Sequence, residues 1–167
     1  WGKRRYEKHF VSKLTDAVSE QYETEHWLLS AQDCNYLTPA QVQTYETFCG
    51  DEARAALEDA RRMGNPADFE RVARRFFYTA AGFEAVNWQA SRWLDLGRFD
   101  LAAHHWEQLL AEPVHQRRLT PMLLLKAAFA HRLSGNAERA DALVARLGQA
   151  RLRVAGRVVQ PDQWLAG

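Results

Sequence analysis

Along most of the chain, apolar residues return every third or fourth position, and glycine or proline interrupts the pattern at short intervals. A period near 3.6 belongs to a helix with one face committed to packing, so the chain is expected to be all-α, a series of short amphipathic helices. Phe10, Leu14, Ala17, Val18, Gln21, Trp27 and Leu28 predict a first helix of roughly 25 residues. Asn35-Tyr36-Leu37 breaks it. Thr38-Pro39 then supplies an N-cap followed by proline at the first helical position, and Val42, Tyr45, Cys49, Ala53, Ala56 and Ala60 carry a second helix. The short connection predicts an antiparallel hairpin.

Met63-Gly64-Asn65-Pro66 is the strongest break, with a glycine able to end one helix and Asn-Pro able to start another. A domain boundary is expected there, between a hairpin of residues 1–63 and a helical segment of residues 66–149. In the second segment helices are predicted at about Ala67–Ala80, Phe83–Asp95, Asp100–Ala111, Pro121–Leu133 and Ala137–Leu147, with Gly82, Gly97, Pro113 and Gly135 between them. Residues 150–167 read as a tail. Leu152, Val154 and Val158 alternate with other residues there and predict one short strand or an extended arm. One strand makes no sheet unless something else supplies an edge.

The 47% of hydrophobic residues, with six Trp, eight Phe and five Tyr, suffices for a packed core, and a net charge of +1 predicts no polyanion partner from the whole molecule. Cys34 and Cys49 are too few for a disulfide scaffold and match no zinc spacing, so both are expected to be reduced core thiols in a cytoplasmic protein. No apolar run approaches the roughly 18 to 20 residues that span a bilayer, so no membrane partner is expected. Trp1 in place of Met points to trimming or to a fragment.

Phosphate-binding, hydrolase, metalloprotease, Cys-x-x-Cys and dinucleotide motifs are all missing, and neither an enzyme nor a cofactor is expected. His104-His105 followed by Glu107 comes nearest to a metal site, yet adjacent residues on a helix point about 100° apart and cannot both face one ion unaided. Glu23, Glu25 and His26 read as packing and polar-contact positions. Trp27, Trp93 and Trp106 lie on apolar stripes and read as core.

Two stretches align on their glycines: Leu96-Gly97-Arg98-Phe99-Asp100-Leu101-Ala102 and Ser134-Gly135-Asn136-Ala137-Glu138-Arg139-Ala140. Around them, Ala90, Gly97, Ala102 and Trp106 recur as Ala128, Gly135, Ala140 and Val144. Small residues there let two helices approach closely, and the large apolar residue fills what remains. With this pattern, residues 83–149 resemble tetratricopeptide repeats, with the helix before them as a cap. The spacing between the glycines is 38 rather than the usual 34 or so, Leu109 and Leu147 replace a late alanine, and His131 replaces an aromatic. The resemblance implies a concave groove for a protein or peptide, faced by Asn87, Trp88, Ser91, Lys126, Phe129 and Arg132.

The opening Trp1-Gly-Lys-Arg-Arg-Tyr-Glu-Lys-His-Phe10, with Glu23-Thr-Glu-His-Trp-Leu28 and Cys34-Asn-Tyr-Leu37, resembles helices three and four of the bacterial four-helix bundle family. That family is known from ribosomal RNA intervening sequences and from accessory subunits of retroelements. The resemblance covers about residues 1–62 and implies a partial bundle, in an oligomer that handles nucleic acid through basic surfaces. The first two helices of such a bundle have no counterpart here. A lone hairpin cannot bury both faces, so the second segment covers it, or other chains do, or the chain is a truncation or fusion. A homo-oligomer through residues 10–60 is therefore expected.

Lys3, Arg4, Arg5, Lys8 and Lys13 stand against Glu7 alone, which leaves the first thirteen residues at +4. With Tyr6 and His9 they combine phosphate-pairing charge with rings able to stack on bases. The sequence thus predicts a non-enzymatic helical binding module, an interaction scaffold or accessory subunit. Its alternative is an RNA- or DNA-associated bundle acting through that basic surface.

Overall fold

In the computed structural model the described residues are 39–148, 152–154 and 157–159, with side chains described over 44–148. The chain divides into two compact units, Trp1–Gln41 and Val42–Gly167, and nearly all the described residues belong to the second. The expected helix from Phe10 lies outside the described residues.

The described residues form α1 (Pro39–Met63), α2 (Pro66–Arg75), α3 (Ala80–Asp95), α4 (Phe99–Ala111), a 3₁₀ turn (Pro113–Arg118), α5 (Pro121–Leu133) and α6 (Ala137–Leu147). The fold is all-α in class. Starts are set where the sequence places caps: Asn65 accepts from the Ala67 N–H at 3.1 Å ahead of α2, and Thr120 Oγ1 accepts from the Leu123 N–H at 3.2 Å ahead of α5. Ends follow glycine. Gly97 (φ 72°) and Gly135 (φ 88°) close α3 and α5 with one hydrogen-bond pattern, Arg98 N–H to Trp93 O at 2.9 Å and Asn136 N–H to His131 O at 2.8 Å.

Gly82 departs from that rule. The expected break at Gly82 lies inside α3, while α2 ends at Arg75, short of the predicted Ala80. Thr79, fully buried, makes the real boundary: its hydroxyl donates to Phe76 O at 2.8 Å and accepts from the Gly82 N–H at 3.0 Å. A Cβ on Gly82 would lie 1.9 Å from the Phe76 carbonyl oxygen, so glycine is there for close approach rather than to end a helix.

From α2 to α6 each helix packs on the next, and α3 also touches α5. Ala85, Ala90, Ala102, Ala127, Ala128, Ala130 and Ala140 have no exposed surface, which lets the helices approach closely; Trp106, Leu109 and Leu143 fill the space between them. Trp106 is core as expected and Trp93 only half-buried, whereas Trp27 lies outside the described residues.

The compact unit begins at Val42, ahead of the Met63–Pro66 break where the domain boundary is expected. Polar contacts from one side of α1 explain this. Tyr45 donates to Arg75 O at 2.6 Å, Glu46 accepts from the Ala80 N–H at 2.9 Å, Glu52 pairs with Arg75 at 3.0 Å, and Arg61 pairs with Glu84. The buried Ala53, Leu57 and Ala60 share that side at helical spacing. Within its own unit, α1 is joined to the later helices.

The tail holds two strands instead of one. Leu152–Val154 (β1) pairs antiparallel with Arg157–Val159 (β2), Leu152 opposite Val159 and Val154 opposite Arg157. The chain supplies its own edge, because the sequence step from Val154 to Arg157 includes a glycine and is the length of a two-residue hairpin connection.

Candidate functional site

The first helices of the two hairpins, α3 and α5, meet at Ser91 and Lys126, whose ammonium donates to the serine hydroxyl at 3.3 Å. One helical turn before Ser91, the half-buried Trp88 stacks on Phe69 of α2 with centroids 3.7 Å apart and planes 7° from parallel. The Arg92 guanidinium lies 5.6 Å from the Trp88 ring centroid. Phe129 is half-buried one turn beyond Lys126.

The six residues expected to face a groove divide on this geometry. Ser91 and Lys126 come together, and Trp88 flanks Ser91 on α3. Asn87 instead accepts from the Trp106 indole N–H at 2.9 Å, and Arg132 pairs with Asp141 of α6 at 3.1 Å. Both are tied to the second helix of their own hairpin. Arg92 and Phe69 were not singled out by the sequence pattern, though Arg92 lies one turn past Trp88 and was open to that reading.

Electrostatics elsewhere are mostly internal. Glu107 of α4 accepts from Arg139 of α6 at 2.8 and 2.9 Å and contacts His131 of α5 at 2.9 Å. Burial would raise the Glu107 carboxyl, but the Arg139 and His131 hydrogen bonds outweigh it and hold the group below the usual carboxylate range. The triad clamps three helices. On α2, Arg71 pairs with Asp68 and Arg75 with Glu52, which leaves Arg74 without an ion-pair partner among the described residues.

His104 and His105 have ring centroids 5.9 Å apart, and among the described residues no group of three or more His, Cys, Asp or Glu could hold a metal ion. Cys49 is a free, half-buried thiol pushed up by burial. His115, in the 3₁₀ turn, is fully buried against Phe77 and Phe83, and neither ring nitrogen has a hydrogen-bond partner among the described residues.

Lys3, Arg4, Arg5, Lys8 and Lys13 lie outside the described residues, as do the side chains of Arg151, Arg153 and Arg157. No described helix is long and apolar enough to cross a membrane. Compared with known protein families, curated proteins and solved structures, the chain matches none.

Proposed function

We propose that the chain is a non-enzymatic helical binding module that holds a protein or peptide on the face shared by α3 and α5, as scaffold or accessory subunit. The supporting observation is the meeting of α3 and α5 at Ser91 and Lys126, beside half-exposed Trp88 and Phe129. Two hairpins closed by the same glycine joint and packed in series favour a repeat of tetratricopeptide type, whose first helices line the groove. Asn87 and Arg132 have a smaller part in this reading, because the Asn87 amide oxygen is taken up by the Trp106 N–H and the Arg132 charge is offset by Asp141.

The alternative is nucleic-acid association through Lys3, Arg4, Arg5, Lys8 and Lys13, supported by the +4 of the first thirteen residues. Self-association through residues 10–60 belongs with it. Because α1 is already engaged within its own unit, that expectation rests mainly on the apolar sequence before Thr38.

Panning a random-sequence peptide display library on the full chain tests the scaffold reading. Recovered peptides should bind Phe129→Ala at least about tenfold more weakly while that variant keeps its melting temperature within a few degrees. If no peptide is recovered, or if Phe129→Ala binds all of them as the parent does, the scaffold reading fails.

A further inference from the structure

Nine described cations pair with a carboxylate: Arg54, Arg61, Arg62, Arg71, Arg75, Arg98, Arg118, Arg132 and Arg139. Charge is cancelled locally over most of this surface. The face shared by α3 and α5 is different. Among the described residues, Lys126 is held only by a neutral hydroxyl and Arg92 only by an indole ring. Arg74, Arg117 and Arg146 are the remaining described cations without a carboxylate partner, and each sits on another element.

The two helices offer little to cancel these charges. Pro121–Leu133 contains no Asp or Glu at all. In Ala80–Asp95 the only acids are Glu84, which is occupied by Arg61, and Asp95, which pairs with neither Arg92 nor Lys126. Trp88 carries Arg92 and Ser91 carries Lys126, and these two residues are three apart and therefore on one side of α3. A face that carries an indole with Arg92 over it, and Lys126 on the neighbouring serine, is complementary to carboxylates beside an apolar side chain.

From this we infer that the α3/α5 face takes an acidic peptide segment, with Lys126 and Arg92 meeting its carboxylates and Trp88 and Phe129 its apolar side chains. The inference rests on the scaffold reading and names the partner class for that site. Nucleic acid is also anionic, but two observations favour peptide. The Trp88 ring is stacked on Phe69 and has Arg92 over it, so this indole offers a base no free face to stack on. Two cations also make no track along a phosphate backbone, where affinity grows with each phosphate neutralised.

The test uses the peptides recovered by display on the full chain and the double variant Arg92→Ser/Lys126→Ser. Neither side chain is buried, so the fold should survive, and an unchanged melting curve checks that. Expected are recovered sequences enriched in Asp and Glu over the starting library, at least tenfold weaker binding to the double variant, and comparable loss when the peptide acids are replaced by Asn and Gln. Peptides without acid enrichment, still lost in Phe129→Ala, would overturn the acidic-partner inference and leave the scaffold reading standing. If no peptide is recovered, both fall. A fluorescent oligouridylate probe that binds the parent and loses binding in the double variant would also overturn the inference, in favour of nucleic acid at this face.

Discussion

The indole N–H of Trp106, a side chain with no exposed surface, donates to Asn87 Oδ1 at 2.9 Å. The bond crosses from α4 to α3 within one hairpin, and it gives a residue that resembles a groove contact a structural task. A buried indole N–H left without an acceptor costs about 1–3 kcal/mol. Asn87→Leu should therefore destabilise by that amount in urea unfolding while leaving recovered peptides bound as tightly as before. In Trp106→Phe, which has no N–H to satisfy, the further substitution of Asn87 should cost much less. Equal costs in both backgrounds would show that the bond contributes nothing.

Gly82→Ala should be among the most damaging single changes. Its methyl group would meet the Phe76 carbonyl at 1.9 Å, a backbone atom anchored by the Thr79 hydroxyl. Relief requires moving the turn between α2 and α3, and overpacking of this kind typically costs about 1–3 kcal/mol or more. At Gly97, where no heavy atom lies within 4 Å of the added carbon, only the positive φ is offended, and Gly97→Ala should cost about 1 kcal/mol. Thermal melts of the two variants read the order directly; a milder effect at Gly82 than at Gly97 contradicts the packing argument.

That contrast explains how much of the fold was legible in the sequence. Pro39, Pro66 and Pro121 open helices and Gly97 and Gly135 close them, because the controlling interactions are local: a fixed φ, a cap, a left-handed residue. Gly82 misled because its reason is a carbonyl six residues away that touches it only once the turn is folded. The union of α1 with the later helices was hidden for the same reason, since Tyr45 and Glu46 meet partners 30 and 34 residues on. At the candidate site, the resemblance to tetratricopeptide repeats pointed to Ser91 and Lys126, which meet across α3 and α5 at 3.3 Å. Which groove residues were already spoken for depended on distances to Trp106 and Asp141 that no spacing rule contains.

His115 should make the protein acid-sensitive. Burial lowers its pKa from 6.5 to about 4 and the Arg118 charge adds to this, while the Phe77 backbone works the other way without making a hydrogen bond to either ring nitrogen. The folded state thus holds a neutral ring, whereas the unfolded chain takes up a proton near pH 6.5. Stability is complete above that pH, falls as pH drops from about 6.5 to 4, and levels off below, for a total of about 3 kcal/mol from this group. His115→Phe should remove the loss in that window and raise stability at pH 5. Glu107 gives a separate step at lower pH: its depressed carboxyl adds stability that is present above its ordinary value of 4.5 and lost as pH falls through the folded value. Glu107→Gln should alter only the lower step. Parallel pH profiles for parent and His115→Phe between 4 and 6.5 would show that the buried ring is not the source.

The nucleic-acid alternative makes a prediction that peptide binding on the α3/α5 face cannot mimic. Lys3, Arg4, Arg5 and Lys8 are four of the five cations crowded into the first thirteen residues, where Glu7 is the only acid. If they contact phosphates, replacing all four by Ser should weaken RNA or DNA binding about equally across sequences, because phosphate contacts carry no base information. The slope of log affinity against log salt should also become shallower, by up to about 0.9 per lost contact on a duplex or about 0.7 on a single strand. Lys126→Ser serves as the control, since a cation beside Ser91 on α5 should matter to peptides and not to this binding. A quadruple variant that binds nucleic acid like the parent at moderate salt, with the same slope, removes the basic stretch from the mechanism. Loss in both the quadruple variant and Lys126→Ser would instead mean that phosphate contacts reach the α3/α5 face, and the acidic-peptide assignment would have to be given up.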